Sequence, residues 1–111
     1  NRAISDGNGI DSRRCISRLT IEREAVAPEG CGLHGWIFGC EECQNVCPYN
    51  HSKPVATLPE IAPTFDPRQI SAVDWQTMSD EEFKARFGRT PMARSGLDRI
   101  VEAVGNSRFK I

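Results

Sequence analysis

A mainly α, loop-rich fold is what this 111-residue sequence predicts. Three observations predict it. The last third holds two or three short helical stretches with their own caps and no partner sheet. Five prolines, Pro48, Pro54, Pro59, Pro63 and Pro67, interrupt the middle. The first half is rich in glycine and cysteine and contains a single convincing helix.

Residues 1–10 read as a flexible, glycine-containing entry. Asp11 or Ser12 can cap a helix running through about Glu24, with Ile16 and Leu19 on one face and Cys15 beside them. Arg13, Arg14, Arg18 and Arg23 take most of the remaining circumference, and a solvated face is the simplest reading of them. Pro28, Gly30 and Gly32 end this helix. The apolar stretch "LHGWIFG" follows, too short and glycine-broken for a long helix. "EECQNVC" allows one or two helical turns before Pro48 ends them. The prolines of 48–68 then argue for an extended connector.

The remainder is helical. "SAVDWQTM" is a short helix or turn. Ser79 through Glu82 form a capping-box pattern before "EEFKARFG", with Phe83 and Phe87 four residues apart and Gly88 as the stop. Thr90-Pro91 opens a helix over "MARSGLDRIVEAV", whose apolar stripe is Leu97, Ile100, Val101 and Val104 and whose end is Gly105-Asn106. The predicted division is therefore 1–53, a cysteine-bearing module; 54–68, a proline-rich connector; and 69–111, a small helical C-terminal region.

Composition narrows the function. With 39% apolar and 7% aromatic residues, a modest core is possible, but something besides packing is needed to order the first half. The formal net charge of −1 gives no basic excess of the kind that marks a nucleic-acid binder. No apolar run approaches the ~20 residues of a membrane span, and no signal peptide is visible. The opening "NRAISDGNGIDSRR" and the lack of an initiator methionine read as a chain cut from something longer. A cytoplasmic, reducing setting follows as the expectation. There, five cysteines are better explained by metal than by disulfides.

The spacing Cys40-x2-Cys43-x3-Cys47-Pro48 carries the chemistry. Aligned on its Cys-Pro end, it supplies the second, third and fourth positions of the C-x2-C-x2-C-x3-C-Pro run of two-cluster iron–sulfur proteins. The first position falls on Ile37, so the missing thiolate must come from elsewhere, and Cys15 is its natural source. In such runs the cysteine before proline serves the neighbouring cluster. Cys15, Cys40 and Cys43 would then bind one 4Fe–4S cluster and Cys47 another. Two such clusters need more thiolates than the five in this chain, so the first half reads as the second half of a two-cluster, ferredoxin-like module, completed by an upstream segment. A zinc-stabilised interaction domain using Cys15, Cys40, Cys43 and Cys47, with His34 or His51 as substitutes, is an alternative that fits zinc spacing only in part. Cys31 matches no ligand rule, and His34 and His51 are more simply structural or solvated.

The stretches "DSRRCISRLTIE", "IFGCEECQNVCPYN", "FDPR" and "SDEEFKARF" together resemble the C-terminal half of epoxyqueuosine reductases. The resemblance runs over nearly the whole chain. It implies an iron–sulfur and cobalamin-dependent oxidoreductase of queuosine biosynthesis, acting on the wobble base of certain tRNAs and drawing on an external electron donor. On the matching positions it implies ligation by Cys15, Cys40, Cys43 and Cys47. The family's cobalamin-binding region, catalytic acid and first cysteine run would lie upstream, so no catalytic residue is expected here and the chain alone is expected to be inactive. Trp36, Ile37 and Phe38 are expected to shield a cluster or to serve as ordinary core, and Gly39 to let the backbone come close to it. An electron-carrying module of another cobalamin-dependent reductase is the remaining alternative. It gives no account of the helix around Cys15.

Overall fold

The computed structural model describes residues 1–7, 9–52, 58–61, 65–105 and 109–111. Among these residues, six short α-helices and several 3₁₀ turns dominate, joined by loops, with one two-stranded sheet. That agrees with a mainly helical, loop-rich chain. Part of the predicted connector, at 54–57 and 62–64, lies outside the described residues.

The entry is more ordered than its composition implies. β1 (Ile4–Ser5) and β2 (Gly9–Ile10) pair antiparallel, Ile4 opposite Ile10 and Ser5 opposite Gly9. Asp11 continues the pairing by donating its N–H to the Ala3 carbonyl at 2.8 Å. The predicted helix from Asp11 to Glu24 is broken. A 3₁₀ turn spans Ser12–Arg14, capped by the Asp11 side chain. Cys15 is then extended (φ −74°, ψ 122°), and α1 runs only over Ile16–Ile21. The extended residue makes Cys15 the N-cap of α1, so its side chain departs from the helix end rather than from its flank.

α2 (Glu42–Asn45) is a single turn. Pro48 opens a second short turn, Pro48–Asn50, at a position where its missing N–H costs nothing. The C-terminal part is built as its caps foretell. α3 (Ala72–Thr77) carries a full capping box between Ser71 and Asp74. α4 (Asp80–Phe87) is capped by Ser79, whose hydroxyl accepts from the Glu82 N–H at 3.2 Å. The Glu82 carboxylate meets Arg86 at 3.0 Å instead of closing the box. The helix predicted from Thr90 onward is two helices. α5 (Met92–Ser95) and α6 (Leu97–Val104) meet at Gly96, whose φ of 83° and ψ of 159° belong to a region open essentially to glycine alone. The N-cap position of α5 is Pro91 and not Thr90, although the Thr90 hydroxyl accepts from the Met92 N–H at 3.3 Å.

The core sits among α3–α6. Ile70, Trp75, Met78, Phe83, Phe87, Met92, Leu97, Ile100 and Val104 are buried there together. Phe87 is its hub, with ring centroids 5.1 Å from Phe65, 5.3 Å from Trp75 and 5.2 Å from Phe83. The predicted apolar faces of α4 and α6 are the ones that pack here. One member comes from the cysteine-bearing half: Ile37 is fully buried in this same cluster. Its N–H donates to the Lys110 carbonyl at 3.0 Å, and Trp36 and Lys110 form a parallel bridge.

Candidate metal centre

Cys40 stands three residues beyond Ile37, and the position of that isoleucine fixes the route of the thiol-bearing loop. Gly39 turns the chain between them with a φ of 70°. A Cβ at Gly39 would meet no atom within 4 Å, so its glycine is required by backbone conformation and not by crowding. On the other flank, Thr20 of α1 is fully buried and its hydroxyl lies 3.0 Å from the Ile16 carbonyl and 3.4 Å from that of Gly39. The helix that begins at Cys15 and the loop that delivers Cys40 therefore meet side by side.

Their meeting forms a cavity of about 520 Å³. Cys15, Cys40 and Cys43 all line it, with Ala3, Ile4, Ile10 and Ile16 as its apolar wall. Three of the four thiols singled out by spacing are thus brought to one space. Cys47 is not in its lining. It caps the Pro48–Asn50 turn, and its N–H donates to the Gln44 carbonyl at 3.3 Å. All five cysteines are free thiols; Cys43 is exposed and the others half-buried.

Trp36 and Ile37 are buried, and Phe38 packs against the core. None lines the cavity. Ile37 belongs to the helical core, with Phe38 packed against it. Trp36 Nε1 donates to Glu42 at 3.3 Å while the Lys110 ammonium sits 5.5 Å from its ring centroid. The apolar wall of the cavity comes instead from Ile4 and Ile10 of the entry hairpin, which sequence reading left as a flexible lead. A signal was present: a short polar stretch containing Gly7 separates Ile4 and Ile10, as in a three-residue hairpin loop.

Cys31 lies elsewhere, on a second cavity beside Arg99 and Glu102. His34 is exposed and its Nε2 is 3.0 Å from the Asn1 side-chain oxygen; His51 is exposed. Neither histidine lines the cysteine cavity. Among the described residues, no three His, Cys, Asp or Glu side chains converge as a single ion requires. A cubane is gripped differently, each thiolate on its own iron corner, and its ligands stand further apart. Thiols on several walls of one roomy, largely apolar cavity fit that demand. Among the described residues, no helix is long and apolar enough to cross a membrane.

Residues 1–50 match the 4Fe-4S double cluster binding domain family, which supports an iron–sulfur cofactor here. Most of the chain is similar to curated epoxyqueuosine reductases. It is 37% identical to that of Cyclobacterium marinum over 94% of this chain and 34% of the relative. It is 32% identical to that of Escherichia coli K12, over 95% and 29%. Against that of Pseudomonas aeruginosa the identity is 36%, over 81% and 26%. The chain spans about a third of the length of the curated relatives it matches. No solved structure matches it.

Proposed function

We propose that this chain, which is related to the C-terminal portion of epoxyqueuosine reductases, is the iron–sulfur electron-transfer part of such an enzyme. In this reading Cys15, Cys40 and Cys43 are ligands of one 4Fe–4S cluster and Cys47 is a ligand of a second. The remaining thiolates come from a part of the protein outside this chain, as do the cobalamin site and the catalytic groups. The substrate is epoxyqueuosine in tRNA, the product is queuosine, and the reaction runs in the cytoplasm on electrons from an external donor. This chain alone does not carry out the reaction. Residues 1–53 are the second half of the ferredoxin-like module, 54–68 a connector, and 69–111 the helical unit that supports it.

The observation that carries the reading is the shared cavity: Cys15, Cys40 and Cys43 line it and Cys47 does not. Bound there, an iron–sulfur cluster supplies one-electron transfer. The chain's own residues perform the rest. The Cys15 thiol leaves from the N-cap of α1, held in place by its N–H on the Ser12 carbonyl at 3.1 Å. Gly39 aims Cys40, and the single turn of α2 carries Cys43 on to the same space. Ile4, Ile10 and Ile16 give the cavity an apolar wall on one side, with much of Ile4 and Ile10 still open to solvent.

The test is a set of single Cys→Ala changes in the full-length protein, reconstituted anaerobically and read by iron content and by electron paramagnetic resonance. Cys15→Ala, Cys40→Ala and Cys43→Ala should each abolish the same centre, and Cys47→Ala a different one. Loss of one common centre in all four would sink the division. A full-length protein that stays colourless and binds zinc would sink the iron–sulfur reading itself.

A further inference from the structure

Ligation leaves unused two cationic side chains on the wall of the cysteine cavity, Arg2 and Arg14, and one acidic one, Glu42. The acid is already engaged. Glu42 Oε1 accepts from Trp36 Nε1 at 3.3 Å and faces the Lys110 ammonium at 3.5 Å. Arg14 immediately precedes Cys15 and is half-buried. Its Nε donates to the Asn1 carbonyl at 2.8 Å. That bond pins the guanidinium at the cavity wall, and no carboxylate among the described residues pairs with it. Its neighbour Arg13 is the opposite case. Arg13 is exposed, lies outside the cavity lining, and spends its guanidinium on Asp11 at 2.9 and 3.0 Å.

We propose that Arg14 sets the reduction potential of the cluster held by Cys15, Cys40 and Cys43, raising it through a positive charge fixed at the cavity wall. The inference rests on the iron–sulfur reading above. A thiolate-bound cluster becomes more negative when it accepts an electron, and a fixed cation nearby favours that reduced state. Arg14 is half-buried against this wall, so its charge is screened less than that of a fully exposed guanidinium. Arg13 carries the same formal charge one residue away, with a carboxylate against it, and so exerts little net field on the cavity.

The experiment is a redox titration with dithionite as the reductant, followed by electron paramagnetic resonance, on the full-length protein after anaerobic reconstitution and iron quantification. In Arg14→Gln the equilibrium constant for one-electron reduction should fall about tenfold, a shift of about 59 mV to lower potential. Arg14→Lys keeps the charge and should stay close to wild type, as should Arg13→Gln. If Arg14→Gln loses iron while Arg14→Lys retains it, the charge serves to hold the cluster and not to set its potential, and the proposal is overturned. Equal potentials in Arg14→Gln and wild type overturn it. So does an equal shift in Arg14→Gln and Arg14→Lys, which would assign the effect to packing, and so does an equal shift in Arg13→Gln, which would assign it to bulk charge. Loss of iron from both Arg14 variants overturns it as well. A wild type that binds no iron defeats this inference together with the reading beneath it, whereas an iron-bound wild type with unmoved variants defeats this one alone.

Discussion

The two ends of the chain are stabilised by different means. Between Ile70 and Val104 the helices close on an aromatic and aliphatic core centred on Phe87. Between Asn1 and Asn50 the elements are a two-residue hairpin, single turns and one helix of under two turns. Few of their side chains are buried, and several apolar ones, among them Ile4, Ile10, Val46 and Tyr49, face outward. The cysteine half is held by attachments to its neighbour. Ser95 Oγ donates to the Thr20 carbonyl at 2.9 Å within a buried contact. Arg99 donates to the carbonyls of Leu19, at 3.0 Å, and Ala25. Arg94 pairs with Glu22 at 2.7 Å and Arg23 with Asp98 at 3.2 Å. The lesson is that a thiol-bearing segment short of apolar side chains can be positioned by a partner that has them to spare.

Three changes probe that dependence. Phe87→Ala should have the largest effect, about 3–5 kcal/mol, since it removes the ring that three other aromatics touch. Denaturant unfolding with hydrogen exchange should show amide protection lost in both halves together. Protection around Cys40 that survives loss of the helical core would break the comparison. Arg99→Ala should cost less, about 1.5–3 kcal/mol, because the carbonyls of Leu19 and Ala25 lose a charged donor. Here exchange should quicken over residues 19–25 while α3 and α4 stay protected; a uniform change along the chain would contradict the proposed attachment.

Ser71→Ala should be the mildest, about 1 kcal/mol, confined to the start of α3. It also has a pH signature. The Ser71 hydroxyl, and then the Ser71 N–H, hold the Asp74 carboxyl below the usual carboxylate range. A depressed carboxyl contributes stability above its unfolded value of about 4, and that contribution is lost as pH falls through the lower folded value. Ser71→Ala should flatten this acid-side dependence. Thermal melts between neutral and acid pH measure it, and an unchanged slope would show that Asp74 is not the group responsible.

The helical end was the more legible in sequence, for a physical reason. Its signals are local: Ser79 ahead of an acidic turn, Phe83 and Phe87 at helical spacing, Leu97, Ile100 and Val104 along one stripe. Each of these is where the sequence puts it. Gly96 was the exception, since one glycine inside a helical pattern is usually tolerated and gives no sign of the positive φ it adopts. The cysteine end depends on distant pairings. Nothing near Ile37 signals that its partners lie beyond residue 69, and nothing near Trp36 points to Lys110. The extended backbone at Cys15 is likewise invisible to helical periodicity. The thiols that line the cavity were legible nonetheless, because ligand spacing is itself a local property of the chain. The cavity's isoleucine wall was not, because it required the hairpin.

Burial of Ile37 in the distant core has a consequence for the thiols. The course of the loop that presents Cys40 is tied to the helices that close around that isoleucine, so a change that loosens those helices should loosen the thiols as well.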